Sequence, residues 1–303
     1  MRQSVTMHLF LKFIFFLLFL SSTVYAKEDK WSQPQTYLYF ADSLADTGDY
    51  YRAITEYKRV LFHFPEYEKK DWVNFQIGRM YHIGGRFESA KSYLTPLTAS
   101  PFDDLRFLSR NWLALTYFEN SEYVNSARLF SELAETATGK VRKSDYLTYE
   151  AVSRFHLNEF TTAGNLFADL DSEENGSEMR EFAKKASELN ELAADRSPKS
   201  RYISVPLSVL FPGAGHLYLG QWDTSLVTLL VIAGTGFLAY DGFERDNLVQ
   251  ASIFLTFATG FYAGSIYSAY RETGRMNATL YDEDRRSMNR EFRRLTLKVS
   301  KAF

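Results

Sequence analysis

The sequence predicts an all-α fold in two parts, a helical-hairpin repeat solenoid followed by a transmembrane helical domain. Three observations carry this expectation. A turn and one amphipathic stretch, residues 48–65, come back three times in the first half of the chain. Three apolar runs follow, at 203–219, 225–240 and 248–270. The chain then ends in a basic stretch that keeps an apolar stripe.

Within 48–65, Tyr50, Ala53, Ile54, Tyr57, Val60 and Leu61 recur at helical spacing and share a face. Gly48 supplies a residue that tolerates positive φ at the preceding turn. Ala53 is small where a neighbouring helix must come close, and Pro65 cannot continue the helix. The second copy reads Gly85, Phe87, Ala90, Leu94, Leu97. The third is Ser121, Tyr123, Ser126, Phe130, Leu133, and the fourth is Asn158, Phe160, Ala163, Phe167, Leu170. Their aromatic positions, 50, 87, 123 and 160, are 37, 36 and 37 residues apart. Ahead of the middle copies, Ile77-Gly78 with Tyr81 and Leu113-Ala114 with Tyr117 share a large-small-x-x-Tyr spacing. Phe40-Ala41-Leu44 and Glu150-Ala151-Arg154 are weaker versions of it. Pro96 falls inside the second helix of the second pair and should kink or shorten it.

This pattern resembles the tetratricopeptide repeat, whose usual period is about 34 residues. The resemblance covers about 34–173 and implies four stacked helix pairs with one continuous core. A stack of this kind needs a cap, and 174–196 suits it. Ser177 is placed to N-cap a helix that Glu178 favours, and Met179, Phe182, Ala186, Leu189 and Ala193 form its buried stripe. The resemblance also implies a concave groove lined by the first helix of each pair. Carried over by position, it includes Trp72, Phe75, Arg79, His82, Asn111, Leu115, Phe118, Thr148, Val152, Phe155 and His156. Such a groove holds an extended or helical peptide. The competing reading packs several of these aromatics against adjacent repeats. His82 and His156 read as groove or core residues, because no His, Asp and Glu grouping has metal-ligand spacing.

Length and composition bound the rest. The chain has 303 residues, room for two domains. It has no cysteine, which excludes disulfides, thiolate metal sites, cysteine nucleophiles and a lipid-anchor cysteine. The formal net charge is only -2, but it is uneven. Residues 27–197 hold 21 Lys and Arg against 28 Asp and Glu, whereas 285–301 hold seven against one. With 26 Phe and 20 Tyr, the chain suits repeat cores and membrane interfaces. No phosphate loop, nucleophile elbow or paired-carboxylate motif is present, so no enzyme activity and no cofactor are expected.

Residues 1–26 read as a secretory signal peptide: Arg2 and Lys12 are basic, 9–20 is otherwise apolar, and Val24-Tyr25-Ala26 suits cleavage. An uncleaved anchor is the alternative, and either one exports the repeats. After the basic linker 196–201 comes the membrane region, 202–270. Its last run is long enough to span a core of about 30 Å, while the first two are shorter than the usual ~20 residues and either tilt or re-enter. Lys199-Ser200-Arg201, Gly213-x-Gly215-His216 and Tyr218-Leu219-Gly220 resemble the small two-transmembrane-helix domain family, with Asp241 after the second helix. The likeness covers about 199–241. Pro212 departs from that family's more usual glycine, and the third run extends it. Gly213, Gly215, Gly220, Gly234, Gly236, Gly260 and Gly264 read as helix-packing positions. His216 and Tyr218 serve either as a ligand or proton site or as a hydrogen-bonded pair that closes the hairpin.

In the tail, 271–303, Met288, Phe292, Leu295, Val299 and Phe303 form a stripe among seven basic residues. A helix of that kind lies on an anionic membrane surface; nucleic acid is the weaker reading and a plain solvated helix the blandest. Exported repeats and a basic tail held inside need an odd number of crossings, three here. The sequence thus points to a bacterial inner-membrane protein with periplasmic repeats and a cytoplasmic tail, a cell-envelope scaffold holding a protein or peptide partner for assembly or transport. The alternative is a small transport or lipid-handling unit with the repeats as a regulatory arm.

Overall fold

The computed structural model of the protein describes residues 33–137, 140–173 and 175–301. Among them all regular structure is helical. The signal-peptide reading and Phe303 lie outside the described residues. The chain divides into two compact units, 1–129 and 130–303.

In the first unit, α1 (Pro34–Asp46), α2 (Tyr50–His63), α3 (Lys70–Ile83), α4 (Phe87–Leu97) and α5 (Asp103–Glu119) each pack on the next. The division falls inside α6 (Tyr123–Thr136). In the second unit α7 (Lys140–His156) packs on α8 (Phe160–Leu170), and α8 on α9 (Ser177–Ala194). The membrane region is α10 (Arg201–Leu210), α11 (Ala214–Tyr218), α12 (Trp222–Glu244) and α13 (Leu248–Thr279), and the tail is α14 (Asp282–Lys301).

One turn is used four times. Gly48, Gly85, Ser121 and Asn158 all have left-handed φ, at 83°, 71°, 60° and 63°. In each, the next residue's N–H reaches back to the carbonyl five positions earlier: Asp49 to Leu44, Arg86 to Tyr81, Glu122 to Tyr117, Glu159 to Arg154, at 2.8–3.0 Å. This is the Schellman closure, which satisfies carbonyls that a helix end leaves without partners. The helix-crossing positions repeat in the same register. Ala41, Gly78, Ala114 and Ala151 are buried on the first helices, and Ala53, Ala90, Ser126 and Ala163 on the second. Their closeness is steric. A Cβ on Gly78 would sit 2.8 Å from Leu94 Cγ, so α3 and α4 approach to a distance that a larger side chain blocks. Pro96 lies in the last turn of α4, which has 11 residues, the same length as the proline-free α8, so the proline is accommodated at the helix end.

Two expectations for the cap change. Ser177 is already the first helical residue of α9; Gly176 occupies the N-cap position and no side chain caps it. The outer face of α9 is not left to solvent either, because α14 packs on it and on α7. Met288, Phe292 and Leu295 are buried, with the Phe292 ring 5.1 Å from that of Tyr149 and 6.3 Å from Phe182. The apolar stripe read as membrane-facing therefore faces the helices of its own chain. It stays attached through polar contacts: Arg196 to Asp284 at 2.6 Å, His156 Nε2 to Asn289 Oδ1 at 2.9 Å, and Arg285 donating to the His156 carbonyl.

α12 and α13 are long and apolar enough to cross a membrane. Their hairpin exposes Leu226, Leu230, Phe237, Ile253 and Phe257, as lipid-facing helices do. Of the two readings of the first apolar run, spanning or re-entrant, the described residues fit the re-entrant one. α10 has ten residues, about 15 Å of rise, which falls short of a ~30 Å core. The chain breaks at Phe211-Pro212-Gly213, and α11 brings it back to the level where α10 began, with Tyr218 Oη accepting from the Ser200 N–H at 3.1 Å. Two crossings plus a returning hairpin put residue 199 and residue 279 at the same end, where Asn277 bonds Lys199 N and O at 2.8 and 2.7 Å. A tail on the opposite side from α7–α9 is incompatible with this packing.

The left-handed turns yield a stability expectation. Ser121 carries a Cβ in a conformation that costs non-glycine residues about 1–2 kcal/mol. Ser121→Gly should raise the unfolding free energy by about 0.5–1 kcal/mol, and Gly85→Ala should lower it by at least as much. Thermal unfolding of the two variants checks both signs.

Candidate functional sites

The groove residues separate into exposed and closed ones. On α3, Trp72 is 42% exposed and stacks at 5.2 Å against Phe75, which is only 2% exposed. Arg79 lies between Gln76, to which its Nη1 donates at 3.1 Å, and the Trp112 ring of α5 at 5.6 Å. Its Nε is buried without a partner. Asn111 and Leu115, on α5, are half-buried, and Phe118 is closed at 9%. The accessible surface is therefore the exposed Trp72 with half-buried Gln76, Arg79, Asn111 and Trp112, a cation held over one aromatic ring. Trp112 was legible as an aromatic one position after Asn111 but lay off the carried-over pattern.

His82 is engaged structurally. Thr116 Oγ1 donates to the Trp112 carbonyl at 2.6 Å, so His82 Nδ1, 3.0 Å away, is the donor to that oxygen. Burial pushes the His82 imidazole below its ordinary value. On α7 the corresponding positions are shut: Phe155, Val152, Thr148 and His156 are all buried. His156 is held by Asn289 of α14, so the protein's own tail covers this stretch of the face.

The second site is the membrane motif. Gly213 has φ 85°, and a Cβ there would meet the Ser225 carbonyl oxygen at 2.5 Å, so both the turn and the close approach require glycine. At Gly215 a Cβ would lie 2.0 Å from Ser208 Oγ and 3.0 Å from the Ala269 Cβ. This contact seats the returning α11 against α10 and α13. Gly220, with φ 80°, ends α11 in the same Schellman closure, Gln221 N–H to His216 O at 2.9 Å. Pro212 sits in the break between α10 and α11.

His216 and Tyr218 do not bond each other. The Tyr218 ring takes the Lys199 ammonium at 4.9 Å while its hydroxyl holds Ser200. His216 Nδ1 pairs with Gln221 Oε1 at 3.1 Å, and Gln221 Nε2 donates to Glu272 Oε1 at 2.6 Å. Arg201 lies 4.4 Å over the Tyr270 ring, and Ser204 pairs with Thr273 at 2.7 Å. The Lys-Ser-Arg start, the glycine turn and the Tyr-Leu-Gly end thus converge on one end of α13. The four packing glycines farther along behave differently. A Cβ on Gly234, Gly236, Gly260 or Gly264 would meet nothing within 4 Å.

Among the described residues, no group of three or more His, Asp and Glu could hold a metal ion. No protein-family model matches the chain, and no curated protein matches it.

The tail contact is pH-sensitive by construction. Burial is the main cause that lowers the His156 imidazole from its ordinary 6.5; the Asn289 bond opposes it and the Arg285 charge adds to it. The undocked state then takes up a proton more readily than the docked one. Docking is at full strength above about pH 6.5 and weakens as the pH falls below it. Asp284 with Arg196, and Glu291 with Lys185, face the same seam. Hydrogen exchange along 282–296, corrected for intrinsic rates, should quicken between pH 7.5 and 5.5, and His156→Gln should flatten that dependence.

Proposed function

We propose that the protein is a membrane-tethered, tetratricopeptide-like scaffold of the bacterial cell envelope, which holds a protein or peptide partner on the α3–α5 face for envelope assembly or transport. The observation that carries the reading is the contrast between two faces of like position. On α3–α5 Trp72 is exposed, with Arg79 and Trp112 half-buried beside it, while the α7 face is covered by α14. Apolar side chains would lie on Trp72, and a carboxylate or carbonyl would pair with the Arg79 guanidinium. The covered face also illustrates a kind of segment this surface accepts: an amphipathic helix with aromatic and aliphatic anchors.

The repeats are placed in the periplasm because the first apolar segment usually governs orientation. The tail is placed beside them, on account of the α14 packing, and not in the cytoplasm. Its outward face, with exposed Arg286, Arg290 and Arg293, remains available to anionic lipid. The charge bias of the short segments opposes this orientation: Lys199, Arg201, Arg271 and Arg275 flank the repeat end, against Arg245 among three acids at the other turn. The second reading makes the membrane hairpin primary and the repeats regulatory. The polar chain from Glu272 to His216 favours it, because a buried imidazole beside apolar helices is costly without a role.

Paired compartment reporters fused after Arg196, within 245–247 and after Lys301 test the placement. Outside, inside, outside is expected. Reporters at Arg196 and Lys301 on opposite sides would sink the two-crossing arrangement, and both inside would make the partner cytoplasmic. A photo-crosslinking residue at Trp72 should capture a discrete partner in cells, and Arg79→Glu should reduce that capture at least tenfold with helical content unchanged. Undiminished capture would rule the face out.

A further inference from the structure

Three cations at the end of the hairpin where residues 199 and 279 meet carry no carboxylate partner among the described residues. Each lies instead on a tyrosine ring: Lys199 over Tyr218 at 4.9 Å, Arg201 over Tyr270 at 4.4 Å and Arg271 over Tyr267 at 6.0 Å. Their neighbours are paired, Arg275 with Glu272 and Arg196 with Asp284. A ring face attracts a cation through its π electrons and occupies none of its N–H donors, so those donors stay open. Arg201 and Arg271 are exposed, and Lys199 is half-buried.

Arg201 has a defined seat. Its Nη2 stands 2.1 Å from where a Cβ on Gly274 would be, so the guanidinium fills the side-chain position that this glycine leaves empty on α13. Arg271 lies three residues before Gly274 on the same helix. Positions three apart are neighbours on a helix surface, about 5–6 Å between Cβ atoms. One face of α13 therefore carries two guanidinium groups, one brought by α10 and one its own.

This pair stands at head-group level. From Val249 to Tyr270 α13 rises about 31 Å, the thickness of a ~30 Å hydrocarbon core. Tyr202, Trp222, Tyr267 and Tyr270 are exposed at this end, as aromatic side chains are at a membrane boundary. Arg271 directly follows Tyr270 and Arg201 directly precedes Tyr202, which puts both at the edge of the hydrocarbon, beside the lipid phosphates.

We infer that Arg201 and Arg271 together hold the phosphate of an anionic membrane lipid at this end of the hairpin, with Lys199 adding charge beside them. Planar guanidinium forks match phosphate oxygens, and two of them favour a head group that carries no cation of its own. A glycerol head meets that condition and a choline head does not. The inference rests on α12 and α13 crossing a bilayer, and not on what the repeats hold or on which side they lie.

The test uses the full chain, purified in detergent. Retained lipid is quantified by native mass spectrometry, and thermal shifts are read with added phosphatidylglycerol, phosphatidylcholine or inorganic phosphate. Phosphatidylglycerol should be retained near one per chain and raise the melting temperature, with phosphatidylcholine at least tenfold weaker and inorganic phosphate without effect. Arg201→Gln combined with Arg271→Gln should lower that retention at least tenfold with helical content unchanged. Gly274→Ala keeps every charge and meets only the far end of a flexible side chain, so it unseats Arg201 in a folded protein and should lower retention at least threefold. Equal retention of phosphatidylcholine by the unaltered protein, or undiminished retention by the folded double variant, would overturn the site. Undiminished retention by Gly274→Ala would overturn the shared geometry, and an equal shift with inorganic phosphate would overturn the lipid. Reconstitution separates these outcomes from a failure of the membrane reading: protein that enters vesicles of neither lipid would overturn the crossing and the inference with it.

Discussion

The docking of α14 on α7 and α9 is the contact on which the second unit depends. It buries Met288, Phe292 and Leu295, each worth about 2 kcal/mol relative to exposure. It also joins the two ends of the membrane region. Residue 199 leaves the helices after α9 and residue 282 rejoins them, so everything between is a loop closed on both sides. The short α10, the break at Pro212 and the return through α11 fit this closure, because they bring the chain back beside the end of α13 before α12 begins.

Much of the helical half was legible because its signals are local. The turn positions 48, 85, 121 and 158 follow from residues that accept left-handed backbone or sit where a glycine recurs, and the buried small positions repeat in step. Ser121 shows how far register outweighs residue type: it adopts the glycine conformation without being glycine. The groove was less legible. Spacing places Phe75, Phe118 and Phe155 on the first helices, but it does not say whether a helix face meets solvent or a neighbour. All three turn inward. On the same pattern Trp72 stays exposed and Arg79 half-buried.

The tail and the span glycines failed for the same physical reason. An amphipathic stripe reports that one face must leave water, not what covers it. The seven basic residues suggested lipid, yet α9 presents Phe182 and α7 presents Tyr149, and these cover the stripe equally well. Glycines in an apolar helix likewise report that a side chain is missing, not why. Gly242, whose Cβ would lie 2.7 Å from the Ala251 nitrogen, is missing one for close packing. Gly260 and Gly264 are missing one where no other atom lies within 4 Å, so contact is not the reason.

The polar chain at the end of α13 explains why this hairpin tolerates so many hydrogen-bonding groups. His216 is buried, and its imidazole would be costly there without a partner; Gln221 and Glu272 lie half-buried beside it. Joined in line, each satisfies the next: Glu272 takes the amide protons of Gln221, Gln221 takes the imidazole proton, and Arg275 compensates the carboxylate. The same α13 that carries Glu272 continues without a break to Asn277, which clasps Lys199, and only residues 280 and 281 separate it from α14. The polar chain and the clasp on Lys199 are therefore set by the same end of one helix, so a change in the direction of that end would disturb both together.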